Sequence, residues 1–141
     1  MMISQTTEYA LRAVVYLARK PEEQQGTKKI SDAIQVPHGY LSKVLQKLTR
    51  AGLVTSSPGR SGGFRLARDP ADIRVLEVVN AVDPLQRIQS CPLGIESHGS
   101  NLCALHQKLD DDLARTERAF ASTSISDLLA DESGAQPLCE S

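Results

Sequence analysis

Residues 37–52 carry side chains that suit contacts with nucleic acid. Apolar residues recur there at helical spacing and predict the buried stripe of an amphipathic helix. They are Leu41, Val44, Leu45, Leu48 and Ala51. The other face carries Tyr40, Ser42, Lys43, Gln46, Lys47 and Arg50. Its donors match phosphate oxygens and base edges, and it contains no acid. An amphipathic helix whose outer face is only solvated has the same pattern. The flanking sequence has to distinguish such a helix from one that binds nucleic acid.

The cysteines are the second group with chemistry of their own: Cys91, Cys103 and Cys139. An odd number argues against a disulfide framework and leaves free thiols, a metal site or a redox switch open. His106 follows Cys103 by three residues, so a helix would place the two on one face. A thiol and an imidazole could also serve as nucleophile and base. No orienting third group or oxyanion element accompanies them, so we expect no enzyme.

The residues before the amphipathic helix predict a helix-turn-helix. Residues 4–20 have the spacing of a first helix with Ser4 as its N-cap. A short second helix is predicted for residues 29–34, and residues 35–39 form a tight connection. A short helix, a brief turn and a longer helix with a basic face are the parts of a DNA-reading motif.

The residues after it predict a β-hairpin. Residues 53–56 and 64–67 are short β-prone runs, and the Gly-rich segment between them carries Arg60. A hairpin directly after a recognition helix indicates a wing, whose tip arginine can enter a minor groove. Beyond the wing, Asp72 is the predicted cap of a helix of about ten residues that ends before Asp83.

The C-terminal half predicts a loop followed by a long helix. Residues 84–103 form a connection long enough to be functional or disordered. We call this connection the sensor loop. The helix opens at Asn101 or Cys103, runs to about residue 122, and has Asp110, Asp111 and Asp112 on one side. Its apolar stripe is Leu105, Leu109, Leu113, Thr116 and Phe120. Such a stripe needs a partner, which is the same helix of a second copy in a homodimer, the first helix of its own chain, or both. Residues 125–130 add a further turn, capped by Ser124.

Charge is distributed unevenly along the chain. Residues 1–70 hold 11 Lys and Arg against 5 Asp and Glu, whereas residues 91–141 hold 3 against 9. This asymmetry favours a nucleic-acid-binding face on the first half. No apolar run approaches the roughly 20 residues that cross a bilayer, and no signal peptide is evident, so we expect a cytoplasmic protein without a membrane partner.

These patterns predict a mainly α fold with a small β-hairpin wing, organised in four parts. The winged helix-turn-helix domain takes residues 1–83 and the sensor loop residues 84–103. The dimerisation helix with its short extension takes residues 104–130. Residues 131–141 form a disordered tail.

The chain resembles the Rrf-type bacterial transcriptional regulators, the IscR/NsrR/CymR family, over about residues 1–130. The resemblance rests on residues 7–13 (TEYALRA), 40–48 (YLSKVLQKL), 52–54 (GLV) and 59–67 (GRSGGFRLA). It implies a winged helix-turn-helix dimer, crossed through the long helix, that binds a pseudo-palindromic double-stranded DNA operator. Pro58 stands where many members have Arg, which shifts the expected minor-groove contact to Arg60.

The resemblance also implies a sensing centre. Iron–sulfur members often carry three Cys with five residues between neighbours, and some carry a His three positions after the last. Cys91, Cys103 and His106 match this pattern, whereas Ser97 stands at the middle position. A [2Fe–2S] cluster needs four ligands, usually thiolates, with imidazole an accepted substitute. Glu8 of a second subunit is the expected fourth ligand, with His98 as its substitute. A regulator that senses iron–sulfur status, redox state or nitric oxide through this cluster is the first hypothesis. The same regulator switched by cysteine oxidation or a small ligand is the alternative.

Overall fold

The computed structural model describes residues 3–96 and 101–131. The elements run in the order α1 (Gln5–Ala18), α2 (Thr27–Ile34), α3 (His38–Arg50), β1 (Val54–Ser57), β2 (Gly63–Leu66), a 3-10 turn (Pro70–Asp72), α4 (Val75–Val82), α5 (Ala104–Ser122) and α6 (Ile125–Ala130). The predicted fold class, mainly helical with one antiparallel hairpin, is confirmed. Ser97, His98, Cys139 and all but the first residue of the predicted disordered tail lie outside the described residues. No helix among those described is long and apolar enough to span a membrane.

Helix α1 is the centre of the core and packs against α2, α3, α4 and α6. Its buried face includes the small residues Ala10, Ala13 and Ala18, which allow neighbouring helices to approach closely, together with Leu17. The side chain of Ser4 accepts a hydrogen bond from the backbone N–H of Thr7 at 3.1 Å, which confirms the predicted cap.

The predicted start of α4 is wrong. Asp72 does not cap the helix, because residues 70–72 form a 3-10 turn capped by Asp69, and α4 begins at Val75. Between them, residue 73 is extended and fully buried. Its carbonyl accepts from the N–H of Ile125, and the N–H of Val75 donates to the carbonyl of Thr123, both at 2.9 Å. Pairing with a segment about 50 residues further on therefore replaces the first helical turn.

Helix α5 packs against α4, and α6 turns back into the core beside α1. Ile125, the first residue of α6, is fully buried. Ser124 caps α6 as predicted, since its hydroxyl accepts from the N–H of Asp127 at 3.0 Å. Residues 123–130 therefore share one hydrophobic core with the winged domain.

Candidate nucleic-acid interface and sensing site

The two faces of α3 have opposite environments. Leu41, Val44, Leu45 and Leu48 are buried in the core, as the spacing predicts. Ala51, the fifth residue of the predicted stripe, is exposed, because α3 ends at Arg50 and Ala51 is its C-cap. Exposed on the opposite face are Tyr40, Lys43, Gln46, Lys47 and Arg50, and Ser42 is half-buried. Within the described part of the chain, the side chains of Lys43, Gln46 and Arg50 form no hydrogen bond or ion pair. Their donors are therefore available to an external partner.

The turn between α2 and α3 fixes the direction of α3. Gln35 ends α2 in the left-handed conformation, with a φ of 57°. The N–H of Val36 donates to the carbonyl of Ser31 at 3.3 Å, and the Ser31 hydroxyl donates to the carbonyl of Val36 at 2.6 Å. The Val36 side chain is buried at the same point. Two hydrogen bonds and one buried anchor thus set the angle at which α3 is presented.

One edge of α3 is braced by other helices. The ring of Tyr40 meets the ring of Tyr9 edge to face, with centroids 6.2 Å apart. The ammonium of Lys47 donates to the carbonyl of Val82, at the end of α4, at 3.4 Å. Lys47 and Tyr40 line the same shallow groove between α1 and α3. The contact of Lys47 is long, so a phosphate oxygen can compete for this ammonium.

The wing is anchored to the connection between α1 and α2. Residues Gln25 and Phe64 exchange two backbone hydrogen bonds of 2.8 Å, which adds a bridge beside the hairpin. Gly63 has a φ of 143°, and a Cβ there would collide with the carbonyl group of Gln25. A Cβ on Gly62 would collide with the carbonyl oxygens of Ser57 and Pro58. The glycines are therefore required by close backbone approach, and they leave Arg60 exposed at the tip.

Glu8 is already committed within its own chain. Its carboxylate accepts from Nε of Arg12 at 2.5 Å. The same guanidinium donates to the carbonyl of Ile34 at 3.1 Å and lies 5.5 Å from the centre of the Tyr9 ring. A role for Glu8 as a ligand in a second subunit would have to compete with this ion pair.

The predicted cluster ligands are only partly brought together. Cys103 is the N-cap of α5, and its sulfur lies 3.4 Å from Nδ1 of His106. Cys91 is buried in a turn closed by the N–H of Gly94. Across residues 3–96 and 101–131, no three His, Cys, Asp or Glu side chains are grouped to hold a metal ion. The described residues of one chain therefore do not complete the four-ligand shell of a cluster.

An ion pair that the sequence patterns did not predict fastens the sensor loop to α5. Arg87 donates to both carboxylate oxygens of Asp110, at 2.7 and 2.8 Å, and the N–H of Ile88 donates to the same carboxylate at 2.9 Å. The side-chain bond from Arg87 and the backbone bond from Ile88 lower the pKa of Asp110 from 3.8 to about 2. Asp110 is one of three adjacent acids, and no local pattern distinguishes the one that turns inward.

The apolar stripe of α5 is divided between two environments. Phe120 is partly buried against the core of its own chain, whereas Leu105 and Leu109 are 62% and 46% exposed. Two large apolar side chains four residues apart, one turn of helix, are therefore left uncovered in the single chain.

A helix-turn-helix followed by an anchored hairpin defines a winged-helix protein of the DNA-binding class. The chain belongs to the Rrf2 family of DNA-binding transcriptional regulators, whose profile, described as iron-dependent transcriptional regulator, matches residues 3–131. It is 28% identical over 144 residues to the HTH-type transcriptional regulator NsrR of Shouchella clausii, covering 99% of this chain and 96% of the relative.

Solved structures show the same fold. The IscR of T. potens has a TM-score of 0.77 at 24% identity, covering 96% of this chain and 93% of that one. The global cysteine regulator CymR of B. subtilis has a TM-score of 0.74 at 22% identity, covering 91% of this chain and 95% of that one. The expected fold is confirmed by these structures, and the expected family by the profile that matches residues 3–131.

Proposed function

We propose that this protein is a cytoplasmic, homodimeric repressor that binds a pseudo-palindromic operator and adjusts its affinity to a signal received at the sensor loop. The outer face of α3 carries the proposal. That face presents Lys43, Gln46 and Arg50 without partners in the described part of the chain, while the buried face holds the helix rigidly. A rigid helix with free donors is what direct readout in a major groove requires.

The side chains of α3 and the wing divide into base-reading and phosphate-binding groups. Ser42, Lys43 and Gln46 follow the start of α3, where helix-turn-helix proteins touch base edges. Tyr40 borders them and contacts the DNA on the α1 side. Lys47 and Arg50, nearer the end of α3, bind phosphates, and Arg60 enters the minor groove at the wing tip.

Selection of duplexes from a random pool tests this proposal even though the operator sequence is not specified in advance. Two half-sites related by two-fold symmetry should be enriched, with centres about one helical turn or a multiple of it apart. Enrichment without any sequence preference, or no retained DNA, would contradict the proposal.

Dimerisation through α5 is supported by its uncovered apolar side chains. Leu105 and Leu109 lie on one face, and Leu113 continues the stripe towards α4. In a two-fold symmetric pair each stripe covers the other, which removes apolar surface from water and holds two recognition helices at a fixed spacing. Exposed patches of this kind commonly mark interfaces.

An iron–sulfur cluster is the first candidate for the signal input, with Cys91, Cys103 and His106 as ligands and Glu8 of the partner subunit as the fourth. The contact between Cys103 and His106 supports it, since two of the four ligands already lie side by side. The incomplete shell within one chain means that Cys91 would have to approach this pair and Glu8 would have to leave Arg12. The fraction of protein that carries a [2Fe–2S] cluster at the sensor loop would then depend on the supply of iron and on exposure to oxidants and nitric oxide.

A thiol switch is the second candidate, and it requires fewer groups to come together, because only Cys91 has to reach Cys103. In this version an oxidant such as a peroxide accepts two electrons from the thiolates of Cys91 and Cys103, and a disulfide forms as the two thiol protons are lost. His106 lies where it can take the proton of Cys103. Visible absorption of protein purified without oxygen separates the two candidates.

A further inference from the structure

The ion pair between Arg87 and Asp110 is unusually complete. Nε and Nη2 of Arg87 reach different oxygens of the carboxylate, and the backbone N–H of Ile88 adds a third donor. The guanidinium also lies 3.7 Å from Glu117, two turns further along the same face of α5. Arg87 therefore contacts two acidic side chains of α5, Asp110 and Glu117, which lie two turns apart.

The location of Asp110 is as unusual as its partners. Of the residues of α5, all of which the structure describes, Asp110 alone is buried. Burial of a carboxylate is unfavourable unless charge and hydrogen bonds compensate for the lost water, and here three donors do so. An apolar residue at this position could be buried without hydrogen-bond donors around it. The carboxylate instead holds the segment that contains Arg87 and Ile88 against α5.

That segment leads into the sensing site. Ile88 precedes the buried Cys91 by three residues, and Asp110 follows His106 by one turn on the same face of α5. The pair thus joins the first part of the sensor loop, just before Cys91, to the helix that follows the loop. Any movement of Cys91 towards Cys103 starts from a point that is fixed at Ile88.

We propose that Arg87 and Asp110 are positioning residues, a clamp that keeps Cys91 covered and carries its displacement into α5. The covering of Cys91 concerns the single chain and is independent of DNA, whereas the transmission to DNA rests on the proposed function. When the ion pair is intact, a displacement of Cys91 is transmitted to α5. It therefore also displaces the α5 of the second subunit that packs against it. With the clamp open, the sensor loop moves without moving α5, so the signal is lost while the recognition helices remain intact.

The covering is tested by thiol alkylation of the reduced, metal-free full-length protein, read separately for each cysteine by peptide mass spectrometry. Asp110→Asn should accelerate labelling of Cys91 by about tenfold or more, because labelling of a buried group follows the local opening equilibrium. Asp111→Asn is the matched control at an exposed neighbour and should leave the rate unchanged. Asp110→Glu keeps the carboxylate and should restore most of the protection. Cys103 serves as the internal reference for general unfolding.

A Cys91 rate that is unchanged in Asp110→Asn, or that rises only in parallel with Cys103, would overturn the clamp. If that variant does not fold, Arg87→Gln provides the same comparison, since it removes the ion pair and leaves the bond from Ile88 to Asp110.

The transmission is tested by gel shift on selected DNA, before and after treatment with peroxide or with iron and sulfide. Wild type and Asp111→Asn should change affinity, whereas Asp110→Asn should bind but no longer respond. An unaltered response in Asp110→Asn would overturn the transmission. A wild type that does not respond would overturn the proposed sensing, while the labelling rates still decide the clamp.

Discussion

The thiol of Cys103 and the imidazole of His106 lie in contact at the start of α5, with Sγ 3.4 Å from Nδ1. Their spacing of three residues places them on one helical face, and the N-cap position of Cys103 leaves its side chain free of the helical backbone. They are the part of the candidate sensing site that one chain assembles by itself. Everything else proposed for that site has to be brought to this pair.

A cluster at this pair predicts a specific dependence on ligands. Protein prepared without oxygen and reconstituted with iron and sulfide should contain both and absorb visible light. Cys91→Ala and Cys103→Ala should abolish the absorption, because each removes one of the two thiolates of the proposed ligand shell. Glu8→Ala should make the cluster more labile without unfolding the protein, as circular dichroism would verify.

Cys139→Ala is the control for these variants and should change neither the iron content nor the absorption. Wild-type protein that stays colourless and empty after reconstitution would rule out the cluster and leave the thiol switch.

Dimerisation through α5 predicts that a charge in its apolar stripe separates the subunits. Leu109→Asp would place an unpaired carboxylate in the interface, at a cost of several kcal/mol. Light scattering should show a monomer, and operator affinity should fall because two half-sites are no longer held together. Ser122→Asp introduces the same charge at an exposed position of α5 outside the stripe and should remain dimeric. A dimeric Leu109→Asp would assign the stripe to another role.

The wing predicts a difference between two glycines. Gly63→Ala combines a strained φ with a collision against the Gln25 carbonyl, and we expect it to lower the free energy of unfolding by about 1–3 kcal/mol. Gly39→Ala, in the first turn of α3, meets nothing within 4 Å and replaces glycine in a helix, so it should leave the stability unchanged or raise it slightly. Urea unfolding measures both. Equal stabilities would show that the bridge between Gln25 and Phe64 does not hold the wing in place.

The clamp predicts a loss of stability in acid. The pKa of Asp110 is about 2 in the folded chain and ordinarily 3.8, so the folded state favours the charged carboxylate. The stability from this group is fully present above pH 3.8 and is lost as the pH falls towards 2. Asp110→Asn should be less stable at neutral pH and should show a weaker pH dependence between about 4 and 2. Urea midpoints across this range, with Asp111→Asn as the control, measure the difference.

Local sequence patterns were sufficient for most of the helices, for the hairpin and for four of the five residues predicted in the buried stripe of α3, because each depends on spacing within one segment. The start of α4 was missed because residues 73–75 pair with residues 123–125, and no local pattern carries information about a partner so far along the chain. Asp72 has the chemistry of a cap, but tertiary pairing overrides it.

In the candidate site, too, features set by local spacing were predictable and features set by tertiary contacts were not. The contact between Cys103 and His106 follows from helical spacing, and the exposed donors of α3 follow from its periodicity. The clamp could not be predicted from local patterns, because Arg87 lies in an irregular segment and its partner, Asp110, is one of three adjacent acids. The ion pair of Glu8 with Arg12 has the spacing of two neighbours on one helix, which weighs against treating Glu8 only as a ligand.

Recognition of DNA by the outer face of α3 is tested most directly by measuring the affinity for selected duplexes against salt concentration. Gln46→Ala should relax the preference at particular base pairs, by about 1–3 kcal/mol, with the salt dependence preserved. Lys47→Ala should weaken binding to all duplexes about equally and flatten the logarithmic salt slope by about one unit. Lys108→Ala removes an exposed lysine of α5 and should leave both quantities unchanged. Equal effects of all three substitutions, or none, would contradict recognition through this helix.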